Sequence, residues 1–208
     1  MVAAVPEELF RATVVGVKVK GGVVLATDKR LSYGSLVLSK SARKIFVLND
    51  RTAIAFAGLY GDAGGLIRFL EAELRFYQLT SGVTPTVKTV AKRLSTIMYS
   101  YKWFPFIVET LVGGIEPDGS PKLYVLDPLG SIIEEDYAAV GTGAAIAFGL
   151  LERDYSETLT VEEAEKLAIA SMRAAIGRDV GSGDGIDVAT ITGSGVRQKS
   201  IVLRLVEG

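Results

Sequence analysis

Residues 11–44, RATVVGVKVKGGVVLATDKRLSYGSLVLSKSARK, bring Thr13, Asp28, Lys29, Arg30 and Lys44 together near the start of the chain. The 208 residues contain no cysteine and no histidine. This excludes disulfides, a thiol nucleophile, thiolate or imidazole metal ligands, and every Ser-His or Cys-His triad. Any catalysis falls to hydroxyls, amines and carboxylates. A hydroxyl at a chain N-terminus, paired with its own α-amine, is one of the few nucleophile–base arrangements that remain.

These groups sit on strands. Two apolar runs, Val14–Val19 and Val23–Ala26, flank Lys20-Gly21-Gly22 and predict a β-hairpin whose second strand delivers Asp28. Short strands are expected at Leu36–Leu38, Ile45–Leu48 and Thr52–Ala57, then helices over 63–78 and Val87–Tyr101. Further strands follow at Ile107–Ile115, Leu123–Leu126, 132–133 and Tyr137–Val140. Helices over Ala144–Arg153 and Val161–Gly177 lead through a glycine-rich loop, 178–185, to strands Ile186–Thr192 and Lys199–Leu205. Strands and helix pairs segregated in this way predict an α+β fold of stacked layers in one domain.

Composition bounds the partners. With 49% apolar residues and a net charge of −1, the chain lacks the basic excess expected of a nucleic-acid or membrane-surface protein. Its apolar runs fall short of the ~20 residues that cross a bilayer. Met1–Phe10 carries Glu7 and Glu8 and no basic stretch, so it reads as a short propeptide and not a secretory signal. No cofactor or metal is expected; the acidic residues of loop 178–185 lack EF-hand spacing.

The segments VVLATDKR and SKSARKI resemble the start of proteasome β subunits, most closely the archaeal kind. In order along the chain, AGLYGD (57–62), YSYKWFPF (99–106), Gly113-Gly114-Ile115, LYVLDPLGS (123–131) and RDVGSGDG (178–185) are similar to segments of the same family. The resemblance covers about Ala12 to Leu205. It implies the four-layer αββα sandwich of N-terminal-nucleophile hydrolases, with residues 1–11 a propeptide or extension and 12–208 a single domain. It implies a cytoplasmic protein-degrading particle. Its partners would be an α-subunit ring, other β subunits in a seven-membered ring, a regulatory ATPase acting through the α ring, and unfolded polypeptide substrates.

The resemblance also implies site residues. In the family a threonine freed by propeptide cleavage is the nucleophile, with an aspartate sixteen and a lysine thirty-two residues later. Asp28 and Lys44 match those two positions, Gly58 matches the oxyanion-holding amide, and Asp179 and Ser182 match the pair beside the nucleophile's amine. Thr142 stands where the family has a serine. The nucleophile position is Ala12, whose methyl group cannot attack a carbonyl, and the residue before it is Arg11 where active subunits carry glycine. The expectation is a catalytically silent subunit that arose naturally.

The alternative is an active threonine endopeptidase cleaved before Thr13. A one-residue slip along a strand points Thr13 to the other face, unless a bulge restores its aim. A related bacterial single-type ring protease is a third possibility. Bland readings stand beside these. Asp28–Lys44 can persist as a buried pair that stabilises the fold. Lys29 and Arg30 read as surface charges at a strand end, and Gly183-Asp184-Gly185 as a turn needing positive φ. Phe46, Phe56 and Tyr60 read equally as pocket lining or core. Phe69, Leu74, Phe76-Tyr77 and Trp103-Phe104-Pro105-Phe106 exceed what one core needs and suggest subunit interfaces.

Overall fold

The computed structural model describes residues 11–203. The hairpin pairs β1 (Thr13–Val19) with β2 (Gly22–Asp28). A small ribbon, β3 (Leu31–Tyr33) and β4 (Leu36–Ser39), precedes β5 (Ile45–Asn49) and β6 (Thr52–Gly58). Helices α1 (Tyr60–Ser81) and α2 (Val87–Ser100) follow, then β7 (Val108–Ile115), β8 (Pro121–Leu126), β9 (Ile132–Glu134) and β10 (Tyr137–Gly141). Helices α3 (Ala144–Asp154) and α4 (Val161–Ile176) lead to β11 (Gly185–Thr192) and β12 (Gly195–Val202).

Two five-stranded antiparallel sheets, ordered β10-β1-β2-β11-β12 and β5-β6-β7-β8-β9, face one another. Alternation along β1 shows how the layers form. Val14 joins Leu25, Leu111 and Leu123 in the core between the sheets, while Val15, Val17 and Val19 pack with Leu151, Ala168 and Met172 of α3 and α4. On the far side, Ile54 and Val112 meet Leu66, Leu70, Leu94 and Met98 of α1 and α2. The result is the αββα sandwich, and it explains why β1 and β2 are apolar on both faces. Lys18, the charged residue of β1, keeps its amine on Asp136 at 2.8 Å.

Several boundaries differ from expectation. β3 was not anticipated: three residues ending in an exposed tyrosine carry almost no periodic signal. α1 begins at Tyr60, directly after the break at Gly58. β12 begins at Gly195 because it is an edge strand whose middle is exposed and polar; the expected strand end beyond residue 203 lies outside the described residues, as do residues 1–10 of the expected propeptide. Lys29 and Arg30 are not solvated charges. Lys29 Nζ binds Asp187 Oδ1 at 2.7 Å, and Arg30 Nε binds Asp184 Oδ2 at 2.8 Å, tying β2 to β11 and to the 178–185 loop. In that loop the positive φ falls on Asp184, at 68°, and not on either glycine. Of the surplus apolar groups, Leu74 and Phe106 join the core, whereas Phe69, Phe76, Trp103 and Phe104 are exposed, Phe104 by 88%.

Candidate active site

The antiparallel register sets the ends of β1 and β2 side by side, Val14 opposite Thr27, so Thr13 and Asp28 meet. Asp28 is fully buried. Its Oδ1 accepts from the Thr13 amide at 3.0 Å and from Lys44 Nζ at 2.7 Å. Its Oδ2 accepts from the amides of Arg30 at 2.8 Å and Gly183 at 3.1 Å. Four donors replace the water this carboxylate has lost, which is what a buried charge requires. Lys44, just before β5, is buried as well. Burial pushes its amine below the ordinary value, and the Asp28 charge and hydrogen bond oppose this. An amine held in that balance exchanges a proton more readily than a solvated lysine.

The side chains of residues 12 and 13 point to opposite faces. The Ala12 methyl packs with Val14, Ile45 and Ala57 between the sheets. Thr13 turns towards α4 and the 178–185 loop. Ser182 Oγ donates to Asp179 Oδ2 at 2.6 Å, so its single proton is committed and Thr13 Oγ1 donates to Ser182 Oγ at 2.7 Å. Thr142 Oγ1 donates to Asp179 Oδ2 at 2.8 Å, and the Gly181 amide to Asp179 Oδ1 at 3.0 Å. Gly143 has to be glycine here: a Cβ would lie 2.1 Å from Thr13 Oγ1. The residues singled out from sequence thus form two adjoining clusters, Asp28–Lys44 and Asp179–Ser182–Thr142, with Thr13 bonded to both and the Ala12 methyl to neither.

Gly58 closes β6 with φ 128°, and a Cβ there would lie 2.2 Å from the Ile107 carbonyl oxygen, so the tight bend requires glycine. The bend is held by the Leu59 amide on that oxygen at 2.8 Å and by the Ile107 amide on Asp62 Oδ2, also at 2.8 Å. Gly58 borders a cavity of about 350 Å³ together with Arg11, Leu31, Tyr33 and Tyr60. Phe56 is buried, stacked on Phe46 at 5.9 Å and tilted against Tyr60 at 5.8 Å, so of the three aromatics only Tyr60 reaches the cavity. Among the described residues, no cluster of acidic side chains could hold a metal ion.

Sequence reasoning passed over Glu109. Its Oε2 accepts from the Gly141 amide at 2.8 Å, bridging the two sheets beside the site. The available signal was one acid inside the apolar strand VETLVGG, opposite Ala57 in register. Burial raises the Glu109 carboxyl above its ordinary 4.5, against the opposing pull of the Gly141 amide. Between 4.5 and that higher value the folded chain holds more protons than the unfolded one, so this group's stabilisation, complete below pH 4.5, is lost as pH rises through the folded value. Glu109→Gln is therefore expected to be more stable than the parent at pH 7.5 and equal to it below about pH 4.5 by urea denaturation. A variant less stable at both pH values would contradict this.

The family model described as Proteasome subunit matches residues 11–191. The chain is 53% identical over 180 residues to proteasome subunit beta 1 of Hyperthermus butylicus, covering 86% of this chain and 88% of that protein. It is 48% identical over 195 residues to proteasome subunit beta 2 of Pyrobaculum neutrophilum, covering 94% and 96%. Proteasome subunit beta 2 of Thermofilum pendens is 45% identical over 196 residues, covering 94% and 96%. At this identity and coverage, and with the sandwich and its Asp28–Lys44 pair in place, the chain belongs to the proteasome subunit family, on its β branch.

Proposed function

We propose that this chain is a β-type subunit of the 20S proteasome core particle that helps to wall the proteolytic chamber without a nucleophile of its own. The observation that carries the reading is the division of labour between residues 12 and 13. The side chain between the sheets is the Ala12 methyl, and the neighbouring hydroxyl, Thr13 Oγ1, donates to Ser182 on the other face. Asp28, Lys44, Gly58, Thr142, Asp179 and Ser182 then serve as inherited scaffolding, and active β subunits of the same particle supply the chemistry. Self-cleavage uses the same missing hydroxyl, so residues 1–11 stay attached to the domain formed by 12–208.

The partners in this reading are an α ring, other β subunits in a seven-membered ring, and a regulatory ATPase acting through the α ring. Unfolded polypeptide is the material degraded, in the cytoplasm. The exposed aromatics Phe69, Phe76, Trp103 and Phe104 suit contacts within such an assembly. No helix among the described residues is long and apolar enough to cross a membrane.

The test is the intact mass and N-terminal sequence of this chain taken from assembled particles. A chain starting at Met1 or Val2 is the expected result. One starting at Thr13 would overturn silence and make Thr13 the nucleophile, with Asp28 already on its amine nitrogen. Cleavage elsewhere would mean trimming by an active neighbour.

A further inference from the structure

β12 ends its sheet: it pairs with β11 on one side, and residues 197–200 are exposed. One row of its backbone N–H and C=O groups therefore faces outward, as a template for a further strand. A cavity lies against this edge on each face of the sheet. On the α4 face, one of about 470 Å³ spans Gly195–Arg197 and is walled by Glu162, Thr192 and Ser194. On the face towards β5, one of about 300 Å³ spans Gln198–Ser200 and is walled by Lys29, Arg43 and Asp187. Their centres on β12, residues 196 and 199, are three positions apart. Residues three apart on an added strand lie about 10 Å from one another and point to opposite faces, as these cavities do.

Charge says which strand fits. In the cavity towards β5, Lys29 Nζ is held by Asp187 Oδ1 at 2.7 Å and by Ser200 Oγ at 3.0 Å, which leaves Arg43 as the excess cation. The Arg43 side chain is exposed and makes no hydrogen bond or ion pair among the described residues. Its planar fork matches a carboxylate. In the α4-side cavity the charges cancel: Arg197 and Lys199 both bind Glu165, and Glu162 stands beside them. That balance suits an uncharged side chain. A second copy of β12 fits poorly. Laid antiparallel on itself, the strand would bring the Arg197 and Lys199 region against its own copy, and like charges across a strand pair repel.

We propose that the open edge of β12 docks an extended acidic segment of a partner protein as a sixth strand of the sheet. The partner's backbone pairs with β12, and one of its Asp or Glu side chains takes Arg43. The residue three positions away places an uncharged side chain in the α4-side cavity. The lysine and arginine of the exposed edge guard it against self-pairing and leave it open to an acidic strand. The inference does not depend on the state of residue 12.

The probe is acetyl-Thr-Val-Thr-Glu-Thr-Val-Thr-amide carrying an uncharged dye, a sequence that reads the same in both strand directions. Fluorescence polarisation measures its binding to the full chain. It is compared with peptides that have glutamine or lysine in place of the glutamate, and with one that has proline in place of both valines. The glutamate peptide is expected to bind about tenfold more tightly than the glutamine peptide, the worth of one charged hydrogen bond, and the lysine and proline peptides more weakly still. Arg43→Gln should remove the preference for glutamate over glutamine, and Arg43→Glu should reverse it in favour of lysine. Gln198→Glu, on the β12 wall of the same cavity, should act as Arg43→Glu does and takes its place if the Arg43 variants do not fold. Equal binding of the glutamate, glutamine and lysine peptides overturns the proposal, as does a preference untouched by these substitutions. A proline peptide that binds as well as the glutamate peptide excludes strand addition. A dimer of the chain that the glutamate peptide cannot open would assign the edge to a second copy and overturn the proposal as well.

Discussion

Ala12→Thr combined with Arg11→Gly is expected to restore self-cleavage before residue 12 and to give the chain peptidase activity. Residue 12 already points between the sheets, beside Ile45 and Ala57, one residue from the Thr13 amide that Asp28 holds at 3.0 Å. Lys44 sits on the same carboxylate oxygen at 2.7 Å, with its amine pushed towards the neutral form by burial. A hydroxyl at residue 12 would, after cleavage, have its own α-amine as base, the arrangement that activates such a nucleophile. In the silent-subunit reading, supplying the reacting group at residue 12 is worth on the order of 10³-fold or more over the parent chain. The readouts are the mass of the matured chain and turnover of a fluorogenic peptide by particles assembled with it. Removing residues 1–12 to expose Thr13 should give no such gain, because Thr13 Oγ1 belongs to Ser182. A folded, assembled Ala12→Thr variant without activity would show that positions other than residue 12 have drifted.

The second large effect concerns the Asp28–Lys44 pair as a structural element. Lys44→Met removes the cation and leaves a fully buried carboxylate with three of its four donors. The expected cost is about 3–5 kcal/mol of folding stability, because the surviving charge is stranded in a medium that solvates it poorly. Lys44→Met combined with Asp28→Asn should cost less than the sum of the single changes, since the neutral amide has no charge to strand. Shifts of the urea midpoint at unchanged slope measure both. A loss below about 1 kcal/mol for Lys44→Met would mean that the three backbone amides hold the charge alone.

How much of this was legible in the sequence depends on how local each signal is. β1, β2 and β6 announce themselves as apolar runs bounded by turns, and α2 and α4 by helical periodicity. β3 and the start of β12 did not, because one is three residues long and the other is polar and exposed. Lys29 and Arg30 read as solvated charges because their carboxylates, Asp187 and Asp184, lie more than 150 residues away in sequence. Glu109 passed unnoticed because its partner, the amide of Gly141, lies 32 residues on and in the other sheet.

The candidate site divides along the same line. Residue identity was enough to show that no thiol or imidazole chemistry exists here and that position 12 offers a methyl group, because these are statements about which atoms are present. Strand alternation was enough to set residues 12 and 13 on opposite faces. Only the tertiary structure decided what each face holds. The register of β1 on β2 gave Asp28 the Thr13 amide, the packing of the sheets brought in Lys44, and the return of the chain through 178–185 placed Ser182 on the Thr13 hydroxyl from 169 residues away. Contacts between residues so distant in sequence depend on the stacking of both sheets, and no local pattern carries that information.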